Sequence, residues 1–199
     1  MPTNCASTYA DNRPVTLPTP ACARLLAMPL TVAEQGFALR PETEADIAFL
    51  RRLYASTRWD ELAPITDWSE AQKLAFLDSQ FALQRHHYLT YYSSTDCAVL
   101  EKYGIPAGRL YVDRQPNTLL VVDISLLPDW RGRGVGTALM EAVMGEARDA
   151  GKKVTVAVEK YNPAQRLYRR LGFREISDEG VYWFMEWRAA PDDQLNTAS

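Results

Sequence analysis

The reading of this chain turns on Asp123-Ile-Ser-Leu-Leu-Pro-Asp-Trp-Arg-Gly-Arg-Gly-Val-Gly-Thr137. An apolar strand pattern runs into three glycines and two arginines, and a helix pattern begins at once. Gly132, Gly134 and Gly136 let consecutive backbone N–H groups turn toward one concavity, because glycine reaches conformations that a side chain forbids. The helix that follows adds its unpaired first-turn N–H groups and the positive end of its dipole. A loop of this kind holds a phosphorylated ligand.

Two other phosphate loops fit less well. A Walker A loop ends in Gly-Lys-Ser/Thr, whereas Val135-Gly136-Thr137 has no lysine. A dinucleotide fingerprint matches Gly132-x-Gly134 and expects an acidic residue near the place of Glu159. However, Pro128-Asp129-Trp130-Arg131 stands where that fingerprint has a tight turn, and 40 residues after Glu159 are few for the rest of a doubly wound domain.

Arg131-x-x-Gly134-x-Gly136 resembles the acetyl-CoA-binding motif of the GNAT superfamily of N-acetyltransferases, Gln/Arg-x-x-Gly-x-Gly/Ala after a strand. Asn162-Pro-Ala-Gln-Arg-Leu-Tyr168-Arg-Arg-Leu-Gly172-Phe173 resembles the second signature of that superfamily, Asn, then Leu-Tyr, then Gly-Phe. One helix and one strand separate the two signatures, the family's usual spacing. The resemblance spans roughly residues 37–187. It implies an α/β (α+β) fold with a mixed, mostly antiparallel central sheet of about seven strands flanked by four helices.

The rest of the chain agrees with that layout. Residues 36–40 form a short strand pattern, and Thr43 caps a helix to about residue 56, with Asp46 in the third position and Ile47, Leu50, Leu53 and Tyr54 on one face. A second helix starts near Ser69 and carries Leu74, Leu77, Phe81 and Leu83 toward His87. Strands are expected at 98–101, 108–112 and 119–127, a helix at 134–150, a strand at 154–158, a helix at 163–171, and strands at 173–177 and 181–187. Residues 1–34, which hold five of the twelve prolines, read as a flexible leader. Residues 35–188 read as the domain and 189–199 as a frayed tail, and Met28 is an alternative translation start.

Composition bounds the function. At 199 residues, 47% hydrophobic and 24% charged, the chain can bury one sizeable core. A net charge of −3 leaves no basic excess for nucleic acid. No apolar run approaches the ~20 residues of a membrane span. Three scattered cysteines (Cys5, Cys22, Cys97) and a start unlike a signal peptide suggest the cytoplasm. Oligomeric state stays open, a homodimer included.

Acetyl transfer from a thioester to an amine needs a neutral amine, a polarised carbonyl and a proton for the leaving sulfur. Asp123 is the acidic residue on the strand entering the loop, so it is a candidate to help the amine lose its proton; pairing with an arginine or capping a loop is the alternative. Tyr168, a phenol that donates without being charged beforehand, is the candidate acid for the sulfur; packing under its helix is the alternative. The resemblance places Tyr168 beside the sulfur of acetyl-CoA, the implied co-substrate. It also implies that the main chain of Leu126 and Leu127 meets the acetyl and pantetheine amides. Arg131, Gly132, Arg133, Gly134, Val135, Gly136 and Thr137 cradle the pyrophosphate, and Asn162 holds the pantetheine arm or caps its own helix. Trp59, Glu61 and Trp68 (with Asp60 between them) are candidates for an aromatic, acidic acceptor wall, or else a solvated loop over the core. His86 and His87 point apart on a helix, and no third histidine exists, so no metal is expected. Cys97 offers a double-displacement route, set below direct attack in a ternary complex because no histidine is near it in sequence. A CoA-binding regulator without catalysis is the remaining alternative.

Overall fold

The computed structural model describes residues 25–92 and 94–190, and within them seven strands pair into one sheet. In chain order the elements are α1 (Leu30–Ala33), β1 (Phe37–Pro41), α2 (Ile47–Arg58), α3 (Glu70–Tyr91), β2 (Thr95–Lys102), β3 (Ile105–Arg114), β4 (Thr118–Leu126), α4 (Val135–Asp149), β5 (Lys153–Glu159), α5 (Gln165–Arg170), β6 (Arg174–Glu179) and β7 (Tyr182–Trp187). The strand order is β1-β2-β3-β4-β5-β7-β6. All neighbours run antiparallel except β4 and β5, which α4 connects by a crossover and which are parallel. A single parallel pair excludes the doubly wound sheet of the dinucleotide reading.

Each helix starts where local chemistry provides for it. The Thr43 backbone N–H and hydroxyl donate to Asp46 Oδ2 at 2.8 and 2.9 Å, as the expected capping residues would. One turn of 3₁₀ helix then leads into α2. Ser69 caps α3, accepting from the Gln72 N–H at 3.3 Å while Gln72 Oε1 accepts from the Ser69 N–H at 2.8 Å.

Two apolar cores lie on opposite faces of the sheet. One joins α1, α4 and α5 to β3, β4 and β5 through Leu110, Leu119, Leu139, Val143, Val156 and Met185. The other joins α2 and α3 to the sheet through Leu50, Leu53, Leu77, Phe81 and Val99. β3 is covered on both faces, and Ala107 to Asp113 are all buried.

One expectation needs correction, and α1 adds to the layout. Leu74 and Leu83 are exposed, and only Leu77 and Phe81 of α3 are buried. Leu83 lies across the helix from that pair, and Leu74 lies a turn before its first member. A fifth helix, the one-turn α1, adds to the expected four. Its Val32, with Leu26, is buried within the stretch expected to be a leader. The remainder of that leader to residue 24, the tail from residue 191, Cys5 and Cys22 lie outside the described residues. Among the described residues no helix is long and apolar enough to cross a membrane.

Candidate functional site

The site begins with a fault in the sheet. β4 pairs with β3 in register from Gly108–Leu126 to Tyr111–Asp123, then slips, so that Val112 meets Val121 and Val122 is left as a bulge. Pairing of β4 with β5 ends at the same place, the last partners being Val121 and Val156. Beyond it the strands part. Residues 122–126, though in the middle of the sheet, are only half-buried, and Ala157 on β5 is exposed. The result is a wedge, one lip of which is an unpaired strand edge rich in backbone donors and acceptors.

The glycine loop follows the open end of this wedge, past Leu126. Gly132 and Gly134 hold φ of 69° and 80°, the left-handed region, and a Cβ at either would meet nothing within 4 Å. Conformation rather than crowding therefore selects glycine there, and the space above is free for a ligand. The first helical bond of α4 runs from the Ala138 N–H to Gly134 O at 3.0 Å, leaving the N–H groups of Val135, Gly136 and Thr137 without intrahelical acceptors. This cradle suits a pyrophosphate.

The arginines of the loop differ in role. Arg131 donates Nε to Leu126 O at 2.8 Å and Nη2 to Ser56 O and Oγ at 3.1 Å each, so it braces β4 against the end of α2. Arg133 lies over the Trp130 ring, 5.5 Å from its centroid. Arg170 of α5 reaches Thr137 Oγ1 at 3.2 Å, a second basic group at the cradle that the motif did not reveal. On β4, the Leu127 N–H donates to Ala107 O at 2.9 Å and the Leu126 carbonyl already accepts from Arg131. One lone pair of that carbonyl remains.

Tyr168 comes from α5, whose ending explains the Leu-Tyr-x-x-x-Gly-Phe spacing. Gly172, at φ 88°, stops the helix, and the Phe173 N–H turns back to Tyr168 O at 3.0 Å. The Phe173 ring then packs on Tyr168, with centroids 5.6 Å apart. The buried Gln165 anchors α5 by donating to Glu159 O at 3.1 Å and to Lys160 O. Burial, and then the nearby Asp123 carboxylate, push the Tyr168 phenol well above its usual pKa and keep it protonated. Asn162 Oδ1 accepts from the Ala164 N–H at 2.9 Å, so its side chain caps its own turn.

Asp123 is held by three donors. Arg109 Nη2 lies 2.6 Å from Oδ2, Tyr88 OH 3.2 Å from the same atom, and Ser125 Oγ 2.7 Å from Oδ1. Arg109 is 3% exposed, also donates to Gln84 Oε1 at 2.8 Å, and lies over the Tyr111 ring. Behind it, Tyr111 donates to Glu42, which pairs with Arg85 at 2.6 Å. Of the two sequence readings of Asp123, arginine pairing is present in the structure, and its partner stands on the adjacent strand.

The acceptor candidates separate. Glu61 pairs with Arg58 at 2.7 Å, and Arg58 in turn grips both oxygens of Glu159 at 2.7 Å each. Trp59 borders this group in sequence and is exposed, whereas Trp68 stacks edge-on against Phe76 of α3, 5.5 Å between centroids. No ring contact or ion pair joins Trp68 to Trp59 or Glu61 among the described residues. Cys97 is mostly buried, and burial pushes its thiol up to about 12, which disfavours the thiolate that double displacement needs. The His87 ring lies among Tyr88, Tyr91 and Tyr92.

Known proteins share this fold. The Acetyltransferase (GNAT) family matches residues 54–173. The fold is similar to that of a PaiA N-acetyltransferase from Thermoplasma acidophilum in complex with coenzyme A, at 17% identity and a TM-score of 0.57, covering 77% of this chain and 99% of that one. An acetyltransferase from Thermus thermophilus gives 19%, 0.55, 77% and 97% in the same order. Ard1 from Thermoplasma volcanium gives 18%, 0.52, 78% and 99%. Likeness at these identities speaks for the fold, whereas the family match runs from α2 through the wedge and its glycine loop to Phe173, more than half the chain. On that ground the chain belongs to the acetyltransferase (GNAT) family.

Proposed function

We propose that this chain is an N-acetyltransferase that uses acetyl-CoA and acetylates a primary amine by direct attack in a ternary complex. The observation that carries the reading is the wedge between β4 and β5, open beyond Val121 and Val156, with the α4 glycine cradle past its open end and Tyr168 within electrostatic reach of Asp123 on β4. Acetyl-CoA supplies an acyl group activated as a thioester. The cradle from Arg131 to Thr137, with Arg170, suits its pyrophosphate, and the free edge of β4 from Val122 to Leu127 suits its amides. Asn162, with Oδ1 committed to its turn, retains its NH₂ for the pantetheine arm.

The chain's own groups then divide the proton work. Tyr168, protonated across the physiological range, donates toward the departing sulfur. Asp123, with three of about four lone-pair positions occupied, leaves one position to accept the proton of the incoming amine, directly or through water. A regulator that binds CoA without turnover is the second reading, and the intact cradle alone does not separate the two.

The test is calorimetric titration of the purified protein with acetyl-CoA, beside NADH and a Gly134→Glu variant, followed by release of free thiol in the presence of an amine panel. Saturable acetyl-CoA binding that the variant loses, with amine-dependent thiol release, is the expected result. Binding without thiol release for any amine favours the regulator, and a folded protein that binds no acetyl-CoA sinks both.

A further inference from the structure

The end of α2 is tied to both lips of the wedge. On the β4 side Arg131 joins Ser56 to Leu126. On the β5 side Arg58 holds Glu159 through two parallel bonds of 2.7 Å, across 101 residues of sequence, and Tyr182 at the start of β7 reaches the same carboxylate at 3.4 Å. This strap lies on the α2–α3 face, opposite the face that carries α4, α5 and the cradle. A donor seated through the cradle fills the wedge from that far side, so an amine must enter on the side the strap crosses.

A polypeptide acceptor needs an open groove there. An extended chain occupies about 4.7–4.9 Å in its hydrogen-bonding direction and carries amide groups that must find partners. The strap spans from α2 to β5 by atoms in hydrogen-bond contact, and opening it breaks two charge-assisted bonds at once. Tyr88 donates to Asp123 and lies within electrostatic reach of Tyr182, which in turn is within reach of Tyr54 and donates to Glu159. With both carboxylates already paired to arginines, these phenols offer acceptors to the N–H groups of a compact amine.

We infer that the Arg58–Glu159 strap restricts the acceptor to small amines and excludes the amino groups of polypeptides. This inference rests on the acetyltransferase reading above. The test compares kcat/KM, by thiol release, for ethanolamine, 1,4-diaminobutane, tyramine and a hexapeptide with a free N-terminus. The same assays are run on Glu159→Gln, which keeps the shape and removes the charge, and on Arg58→Lys, which keeps the charge and loses the fork. The wild type is expected to favour the best small amine by about 100-fold or more over the hexapeptide. Either variant is expected to narrow that ratio about tenfold at unchanged acetyl-CoA affinity. A wild type that acetylates the hexapeptide as well as the small amines, or acetylates none of the panel, overturns the inference, as does a ratio that neither folded variant moves. Calorimetry on the same preparations separates the failures. If acetyl-CoA binds and the peptide is preferred, only the strap falls; if acetyl-CoA does not bind, the donor reading falls with it.

Discussion

Tyr168 and Asp123 lie within electrostatic reach of each other but depend on their surroundings differently. The Tyr168 ring packs on Phe173 whether or not its hydroxyl is present, so Tyr168→Phe preserves the packing. We expect that variant to keep its acetyl-CoA affinity and thermal midpoint while kcat falls by about 10²–10⁴, measured by thiol release. Asp123, by contrast, neutralises an arginine that is almost wholly buried. Asp123→Ala leaves the Arg109 charge without its carboxylate and is expected to cost about 3–5 kcal/mol in urea unfolding. Asp123→Asn, which still accepts a hydrogen bond, is expected to cost less, separating the charge from the bond. Tyr168 was legible in sequence because the residues that define its place, Gly172 and Phe173, follow within a turn and a half. Arg109 was not, because nothing local to it specifies that β3 and β4 bring it beside Asp123.

At the scale of elements, starts and stops carry measurable energy. Arg40 grips both oxygens of Asp46, at 2.7 and 2.6 Å, and chiefly through these bonds holds its carboxyl at about 2, down from 3.8. The sign follows from that depression. The stabilisation is full above about pH 4 and is lost as pH falls toward 2. A shift of this size corresponds to roughly 2 kcal/mol, trimmed to about 1–2 by solvent around the one-third exposed Arg40. Unfolding free energies from urea titration at pH 4.5 and about 2 should therefore differ by that much more in the wild type than in Asp46→Ala. In the cradle, Gly134→Ala meets no steric neighbour yet must hold a left-handed φ, and should cost about 1–2 kcal/mol in the same assay. The capping residues and the glycines were readable because each acts within its own turn. The exposure of Leu74 and Leu83 was not, because both match a helical apolar pattern and only the partner's reach decides which positions it covers.

For the whole molecule, the wedge makes donor binding a stabilising event, since the cradle and both lips exist only when the sheet is folded. At a coenzyme A concentration of about 100 times Kd, the gain is about 2.7 kcal/mol. For a chain of this length that raises Tm by roughly 5–10 °C, readable by differential scanning calorimetry, and NADH at equal concentration should give no comparable shift. The order of strands and the main helices, the glycine cradle, the Asn162 turn and the position of Tyr168 on its helix were determined by the sequence alone, since periodicity, turn residues and caps act over a few residues. The wedge itself, the commitment of Asp123 to Arg109, the brace of Arg131, the added charge of Arg170 and the strap from Arg58 to Glu159 were decided only by the tertiary structure. Each depends on groups 14 to 101 residues apart meeting across sheet and helices, and no local pattern encodes which of many charged side chains will meet.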